Sequence, residues 1–446
     1  MWGKSDTQKT KLEGQLFGKE GLEKKYDKDL QGEPEQIAVE RMANGRQVRV
    51  IETKKGKISP DLVTTIDADL QKKAWQMIAN HRRAAIMMMD IAQGDTLVMA
   101  SKPSYDPNDL IGPDSKMVWN ELLKNPASPI LNRVTSGLYA PGSTFKMISA
   151  LTALKMGIHK DFEVECNGHI ELGTYRFHCW KKNGHGPVNL HQALAQSCDV
   201  WFYHIAQKIG VDDFAKMAKL FGLGQKHNQL ELPNIQSIIP TKAWKRQKFN
   251  QPWYLGDNLN IVIGQGYMAT TPLDLCVMIG RLASGNFNLE PRLIRPTLAP
   301  SEQDFYLKEV NSKNQYFRME DDYSNILPSV KHLSVVRRAM REVVTGDAGT
   351  ARDSAIGIPA FEMAGKTGSS QVKRISLQER EEGLAKPTDL SWWLRDHALF
   401  VGYAPFFHPR YCVCVIVEHG ISGSKTAAPI ARELLLRVQQ KNKTKT

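Results

Sequence analysis

The chain has 446 residues, 41% hydrophobic and 24% charged, which allows a sizeable core and about two or three domains, or one large one. Its formal net charge of +12 suits an anionic surface or polymer, but no zinc-finger repeat, basic helix or aromatic-interleaved basic stripe supports nucleic acid in that role. No run of about 18 apolar residues exists and residues 1–28 are polar, so the chain as it stands carries neither a signal peptide nor a membrane span. On composition alone it reads as cytoplasmic, an expectation that the motifs below reverse.

Residues 1–60 are dominated by Lys, Glu, Asp, Gln and Gly and read as a small extended region or linker, with Pro60 as a boundary. Asp67 or Asp69 caps a helix whose apolar face is Leu70, Ala74, Met77 and Ile78. Ala84–Met89 and Thr96–Ala100, separated by Gln93-Gly94-Asp95, predict a hairpin in a central sheet, with Met87–Met89 a buried strand. Residues 102–135 read as a polar, proline-punctuated loop region.

The stretch that organises the rest is Tyr139–Lys146 (YAPGSTFK) with the apolar run that follows it. Pro141 and Gly142 break the preceding segment, and Met147, Ala150, Leu151 and Leu154 recur with helical period, predicting a buried helix with Ser143 in its first turn. Ser143 and Lys146 share a helix face at i, i+3, so the amine is expected to reach the hydroxyl. In an apolar setting the lysine is partly desolvated, which favours its neutral, basic form. A lone S-x-x-K is usually an N-cap and a solvated charge, so the assignment needs partners.

Residues 160–188 lack helical period and are rich in Gly, His and Cys, a long irregular segment that something must tie down. Helical pattern returns from Leu190, breaks at Ser197-Cys198-Asp199, and resumes through Trp201, Ile205 and Ile209 to Gly210. Residues 225–258 are again irregular, with several aromatics and bases, and Pro272–Leu282 is an apolar helix. Phe361–Ala364 reads as an edge strand before Lys366-Thr367-Gly368-Ser369-Ser370. Ala398–Tyr403 and Tyr411–Glu418 read as antiparallel strands, followed by a terminal helix near Ala427–Gln439. Strands at both ends with helices between them predict an α+β domain, an antiparallel sheet packed between helices.

Two further clusters join the Ser143 turn. Ser197-Cys198-Asp199 places a hydroxyl and a carboxylate in an inter-helix turn, and Lys366-Thr367-Gly368 lies beside a strand. In the order S-x-x-K, S-x-[N/D], K-T-G the three match the serine acyl-transferase set of penicillin-binding proteins and serine β-lactamases. The stretches PSYDPN (103–108), YAPGSTFK (139–146), HCWKKNGHG (178–186), IGQGYMATTP (263–272), AGKTGSSQV (364–372) and Glu418–Pro429 together resemble a class B penicillin-binding protein, on the branch of penicillin-binding protein 2 of the cell-elongation machinery. Residues 18–32 (GKEGLEKKYDKDLQG) look like the end of that family's non-catalytic pedestal. The division expected is residues 1–60 as pedestal remnant and linker and 61–446 as transpeptidase domain. Family members carry a membrane anchor and a larger pedestal, so the resemblance implies an N-terminally truncated chain.

The resemblance implies D,D-transpeptidation of peptidoglycan stem peptides through a serine acyl-enzyme that β-lactam antibiotics also form. It makes Ser143 the nucleophile, Lys146 its base and Ser197 a proton relay. Lys366 supplies positive charge near the substrate carboxylate, and Thr367, with Gly368, Ser369 and Ser370, holds the substrate. Backbone N–H groups of Ser143 and Ser369 form the oxyanion hole. Asp199 departs from the asparagine of the wider superfamily, although aspartate is familiar on this branch. The implied location is the periplasmic face of the inner membrane, and the implied partners are elongation-complex membrane proteins, including a glycan polymerase. Rival readings are a β-lactamase, for which no deacylating glutamate motif follows Ser197, a β-lactam sensor, and a silent structural subunit.

Cys166, Cys179, His185 and Cys198 are separated by twelve, five and twelve residues. A Cys/Cys/His/Cys set suits a closed, structural zinc site that would pin the Ser197 turn to the irregular loop. The competing expectations are a Cys166–Cys179 disulfide and free cysteines that are simply buried, as expected for Cys276, Cys412 and Cys414; His169, His178 and Asp199 are substitute ligands.

Overall fold

The computed structural model describes residues 16–59, 61–295, 325–373, 379, 385–386 and 388–443. Strands β1 (Gln36–Arg41) and β2 (Gln47–Lys54) pair as an exposed hairpin preceded by two single-turn helices, Gly21–Lys25 and Asp27–Gln31. The N-terminal segment is therefore more structured than a linker, yet every residue of β2 is exposed and neither strand contributes to a core.

The central sheet has five antiparallel strands in the order β4-β3-β11-β10-β9: β3 Ala84–Asp90, β4 Asp95–Lys102, β9 Ala364–Ser370, β10 His397–Ala404 and β11 Tyr411–Val417. Chain ends thus meet in one sheet, as the sequence pattern predicts. Alternation along each strand divides two apolar layers. Ala85, Met87 and Met89 of β3, and Cys412, Cys414 and Ile416 of β11, enter the larger core. Their neighbours Ala84, Ile86, Met88, Val413, Val415 and Val417 enter the other. Apolar cover on both faces explains why these strands read as unbroken hydrophobic runs, and why the three cysteines 276, 412 and 414 are fully buried.

The smaller layer is closed by α1 (Ala68–Ile78), capped by Asp67 as expected, and the terminal helix Ala428–Lys443. The larger layer holds, after α2 (Ser115–Lys124), helices α3 (Lys146–Lys155), α4 (Leu190–Ala195), α5 (Asp199–Ala206), α6 (Val211–Leu220), α7 (Lys242–Phe249), α8 (Leu255–Val262), α9 (Pro272–Ser284) and α10 (Val330–Thr345), of which α3, α5, α6 and α9 supply much of the core. Among the described residues no helix is long and apolar enough to cross a membrane.

Several local expectations are corrected. The strand before Lys366 is not 361–364: Pro359–Phe361 is a 3₁₀ turn and the edge strand is β9 itself, which carries the whole Lys366–Ser370 stretch. The irregular 160–188 segment is two small hairpins, β5 (Val164–Cys166) with β8 (Gly186–Val188) and β6 (His169–Leu172) with β7 (Tyr175–His178). Strands this short show too little alternation to be read. Residues 102–135 contain α2, and 225–258 contain α7.

Candidate active site

Ser143 lies in a 3₁₀ turn, Gly142–Phe145, directly ahead of α3, and α3 begins at Lys146. The turn is wedged between two backbones. Gly142 has φ +53° and an added Cβ would stand 2.8 Å from the Ser369 carbonyl, so only glycine lets the turn press against β9. From the other side Gly142 N–H donates to the Gly264 carbonyl at 2.9 Å. A Cβ on Gly264 would fall 2.2 Å from the Gly142 carbonyl oxygen. Ser143 is thereby held at the mouth of a cleft of about 1140 Å³ whose lining includes Ser197, Asp199, Thr367, Gly368 and Ser369.

Below that mouth the charges are buried and mutually satisfied. Lys146 is fully buried, and its Nζ donates to Asp199 Oδ1 at 2.6 Å, the Ser197 carbonyl at 2.9 Å and Ser197 Oγ at 3.3 Å. The expected Lys146–Ser143 hydrogen bond is not among the bonds formed by the described residues; the amine turns instead toward the Ser197–Asp199 turn. Lys366, also fully buried, donates to Ser197 Oγ at 2.9 Å and to the Thr367 carbonyl at 3.2 Å. Ser197 therefore sits between two lysine amines, and its backbone adopts left-handed φ +57°, a strained conformation for a serine. Burial, followed by the charge of Lys146, pushes the Lys366 pKa well below that of an ordinary lysine. Burial also raises the Asp199 carboxyl, with Lys146 pulling it back.

Of the catalytic and substrate-holding candidates, Ser370 is buried and paired across the sheet with His397, and the fully buried Lys146 and Lys366 do not line the cleft either. Among the lining residues with no role in the sequence reading, Trp180 and Thr350 hydrogen-bond to site residues directly. Trp180 donates its backbone N–H to Asp199 Oδ2 at 3.0 Å and its indole N–H to the Gln196 and Ser197 carbonyls at 3.1 Å, so it ties the loop to the turn. It lay inside the HCWKKNGHG stretch, which was the available signal. Thr350 shares a 2.7 Å hydrogen bond with Thr367, and nothing in its sequence context marked it.

The Cys166, Cys179, His185 and Cys198 donor atoms all lie within 4.8 Å of one another. The two small hairpins bring this about: Cys166 ends β5, Cys179 follows β7, His185 precedes β8 and Cys198 is the N-cap of α5. His185 Nδ1 stands 3.5 Å from Cys166 Sγ and 3.6 Å from Cys179 Sγ. All six cysteines are free thiols, so the Cys166–Cys179 disulfide is not present. The substitutes His169 and His178 lie outside the group, their rings tilted at 40° to each other across β6 and β7, and Asp199 is engaged by Lys146.

Comparison with known proteins agrees with this geometry. Residues 84–436 match the family model described as penicillin binding protein transpeptidase domain, and residues 4–64 match that of the penicillin-binding protein dimerisation domain. The chain is 33% identical over 424 residues to the peptidoglycan D,D-transpeptidase MrdA of Acinetobacter baumannii, covering 93% of this chain and 60% of that protein. Against MrdA of Escherichia coli the identity is 30% over 411 residues, covering 91% and 62%. The chain therefore spans less than two thirds of the length of these relatives. Among solved structures, the Helicobacter pylori penicillin-binding protein PBP2 in complex with MreC superposes with a TM-score of 0.79 at 30% identity, covering 95% of this chain and 72% of that one. Pseudomonas aeruginosa PBP2 in complex with WCK 5153 gives 0.74 at 32% identity, covering 95% and 84%. A peptidoglycan synthase complex that coordinates polymerization and crosslinking gives 0.71 at 26%, covering 94% and 70%. This chain belongs to the penicillin-binding protein transpeptidase family and is similar over most of its length to the PBP2 members of it.

Proposed function

We propose that the protein is a serine D,D-transpeptidase that cross-links peptidoglycan stem peptides during cell elongation and is acylated by β-lactams. The observation that carries this reading is the meeting of three sequence-distant clusters, Ser143-Lys146, Ser197-Asp199 and Lys366-Thr367, at one cleft. Ser143 Oγ attacks the carbonyl of the penultimate D-alanine, and its proton passes to Lys146. Two N–H groups, of Ser143 and Ser369, stabilise the tetrahedral oxyanion. Collapse expels D-alanine, whose amine takes a proton through Ser197, and the Ser143 ester is then transferred to the amine of a second stem. Lys366 and Thr367 hold the terminal carboxylate of the donor, with Gly368 and Ser369 supporting it along the strand edge.

Residues 1–60 act in this reading as the end of a non-catalytic pedestal and 61–446 as the transpeptidase domain, in keeping with the break between residues 64 and 84 in the two family matches. The partners are elongation-complex membrane proteins including a glycan polymerase, at the periplasmic face of the inner membrane. The support for them is the MreC complex and the synthase complex among the similar structures.

The four-residue Cys/His cluster holds a structural zinc ion. Around zinc with bonds of about 2.3 Å to sulfur and about 2.0 Å to nitrogen, the edges of a tetrahedron are roughly 3.5–3.8 Å. The 3.5 and 3.6 Å S···N contacts fit those edges. The metal supplies no chemistry to the reaction; Cys198 links it to the turn that presents Ser197 and Asp199.

The functional reading is tested by labelling with a fluorescent penicillin and locating the adduct by mass spectrometry. One adduct on Ser143, absent in Ser143→Ala, is expected. An adduct elsewhere, or full labelling of the alanine variant, overturns the reading.

A further inference from the structure

The cleft is charged unevenly. Beneath the Ser143 turn lie the buried amines of Lys146 and Lys366, and the carboxylates among the lining residues are those of Asp199 and Asp396. Asp199 is taken up by Lys146, and the guanidinium in the lining, Arg176, pairs with Glu171 at 3.0 Å. Asp396 forms no ion pair among the described residues. Its Oδ1 accepts the Val372 N–H at 3.3 Å, and no described residue donates to Oδ2. Burial raises its pKa and the Val372 N–H pulls it back, with no cation contributing.

The carboxylate is also held in place. Asp396 directly precedes β10, where His397 pairs with Ser370 of β9, and its carbonyl accepts the Ile421 N–H at 2.9 Å. It is thus anchored to the end of β9 on one side and to the segment after β11 on the other. Gln371 and Ser422, next in the chain to those two anchors, are neutral and line the cleft as well.

In the transpeptidase reading the donor's terminal carboxylate lies at Lys366 and Thr367, and the oxyanion of its penultimate residue at the Ser369 N–H. The donor therefore runs from its C-terminus toward its N-terminus as β9 runs from 367 to 371, an antiparallel pairing on the edge strand of the sheet. Strands rise about 3.4 Å per residue, so the residue before the two D-alanines falls just past Ser369, and Gln371 lies about 7 Å past it. A long side chain on that residue spans the remainder to Asp396. Donor and acceptor stems are alike, so a donor carries the same side-chain amine that serves as nucleophile in an acceptor. That amine is protonated at neutral pH, and a half-buried carboxylate with an oxygen to spare is the group to receive it.

We propose that Asp396 receives the side-chain ammonium of the residue before the two D-alanines of the donor stem, and so sets a preference for stems with a basic residue there. The inference deepens the transpeptidase reading and rests on it for the direction of the donor in the cleft. The stem is then held by opposite charges at two points, its carboxylate at Lys366 and Thr367 and its ammonium at Asp396. An acceptor stem offers the same ammonium, and the two sources are separated by the step they affect: donor recognition changes acylation, acceptor recognition changes transfer.

The test uses two penicillins that differ only at the end of an aminoacyl side chain, an ammonium in one and a methyl group in the other, with acylation of the whole protein followed by mass spectrometry. The readout is the ratio of the two rates within one protein, which cancels any general loss of fold or reactivity. Wild type should react about ten- to a hundredfold faster with the ammonium probe, the worth of a hydrogen bond between charged groups. Asp396→Asn should bring the ratio to within about twofold of unity, and Asp396→Glu should keep part of the preference. A ratio in Asp396→Asn equal to that of wild type overturns the subsite and leaves Asp396 a brace between β9 and the segment after β11. A wild-type ratio near unity also overturns it, in favour of the acceptor where Asp396→Asn slows only transfer from the acyl-enzyme to a lysine-bearing stem peptide. If neither penicillin acylates wild type, the transpeptidase reading fails, and the subsite is judged by equilibrium binding of pentapeptides with lysine or norleucine before two D-alanines. Tighter binding of the lysine peptide, lost in Asp396→Asn, upholds it, and equal binding of the two overturns it.

Discussion

Lys146 Nζ stands 2.6 Å from Asp199 Oδ1 in the floor of the cleft, with the amine fully buried and the carboxylate side chain 11% exposed. The pair bridges 53 residues of sequence and orients the amine toward Ser197. Removing one partner of such a pair leaves an uncompensated buried charge, a loss of about 3–5 kcal/mol. Asp199→Ala is therefore expected to lower the melting temperature and to slow penicillin acylation. Asp199→Asn, which keeps the shape and a hydrogen-bonding oxygen, loses less of both. Equal stability of wild type and Asp199→Ala in denaturant titrations would mean the pair is not what holds Lys146.

The two lysines make separable predictions. On the roles proposed above, Lys146→Ala would remove the base and should reduce acylation by about 10²–10⁴-fold, whereas Lys366→Ala would remove a charged contact to the substrate carboxylate and should reduce it by about ten- to a hundredfold. Burial and the neighbouring Lys146 hold the Lys366 pKa well below the ordinary lysine value. Raising the pH thus neutralises Lys366 earlier than a surface lysine, and affinity for a carboxylate-bearing β-lactam falls as pH rises. Lys366→Arg, charged throughout, should flatten that fall even if it binds less well. Acylation rates across a pH series at several β-lactam concentrations separate affinity from the chemical step.

A third prediction concerns Glu418, 285 residues from Arg133 in sequence. Glu418 Oε1 accepts from Arg133 Nε at 2.8 Å and from Tyr139 Oη at 2.9 Å, and Oε2 accepts from Arg83 at 3.2 Å. Burial, the largest single influence, would raise its pKa; the hydrogen bonds from Arg133, Tyr139 and Arg83 together with the charge of Arg133 outweigh it and hold the carboxyl below its usual range. A depressed carboxylate contributes stability above its unfolded pKa that disappears as pH falls through the folded value. Tyr139 enters the segment that ends in Ser143, so Glu418→Ala should cost about 3–5 kcal/mol and slow acylation together. Stability lost with acylation intact at 10 °C would show that the clamp supports only the fold.

Much of this arrangement was legible in the chain because it is written locally. The helical period after Ser143, the unbroken apolar runs of β3 and β11, and the three short motifs each depend on neighbours in sequence. What was not legible depends on tertiary approach. Lys146 was expected to turn to Ser143, its neighbour in sequence, and turns to Asp199, which only folding brings near. Trp180 acts through backbone and indole N–H groups that no spacing rule predicts. The hairpins of 164–188 are three or four residues per strand, and their glycines, such as Gly184 with φ +73°, obscure any strand pattern.

His227 supplies a pH prediction away from the cleft. It is 1% exposed, with Nε2 3.2 Å from Asp274 and Nδ1 2.9 Å from Glu290, which Arg281 also pairs. Burial alone would lower its pKa, but the hydrogen bonds to the two carboxylates outweigh it and carry the imidazolium up to about 9. The stability from this raised pKa is fully present below the unfolded value of 6.5 and is lost as pH rises through about 9. Its size is on the order of 3 kcal/mol. Melting temperatures from pH 6 to 10 should fall on the alkaline side, and His227→Gln should be less stable at pH 6 with a flatter profile. A wild-type profile that is flat across that range would contradict the assignment.

The zinc prediction turns on stoichiometry and on what chelation removes. Purified protein should contain about one equivalent of zinc, since four closed ligands, three of them thiols, favour that ion and leave no open position. Because Cys198 would join the proposed metal to the turn holding Ser197 and Asp199, chelation should lower both the melting temperature and the rate of penicillin acylation, and added zinc should restore them. Cys166→Ser should reproduce the chelated state, whereas Cys414→Ser, a buried strand cysteine outside the ligand group, should change stability without changing zinc content. The carved edges of 3.5 and 3.6 Å around His185 also set a spectroscopic expectation: cobalt substitution should give the intense visible bands of a tetrahedral thiolate site. Zinc well below one equivalent, with chelation affecting neither stability nor acylation, would leave the three thiols as ordinary buried cysteines.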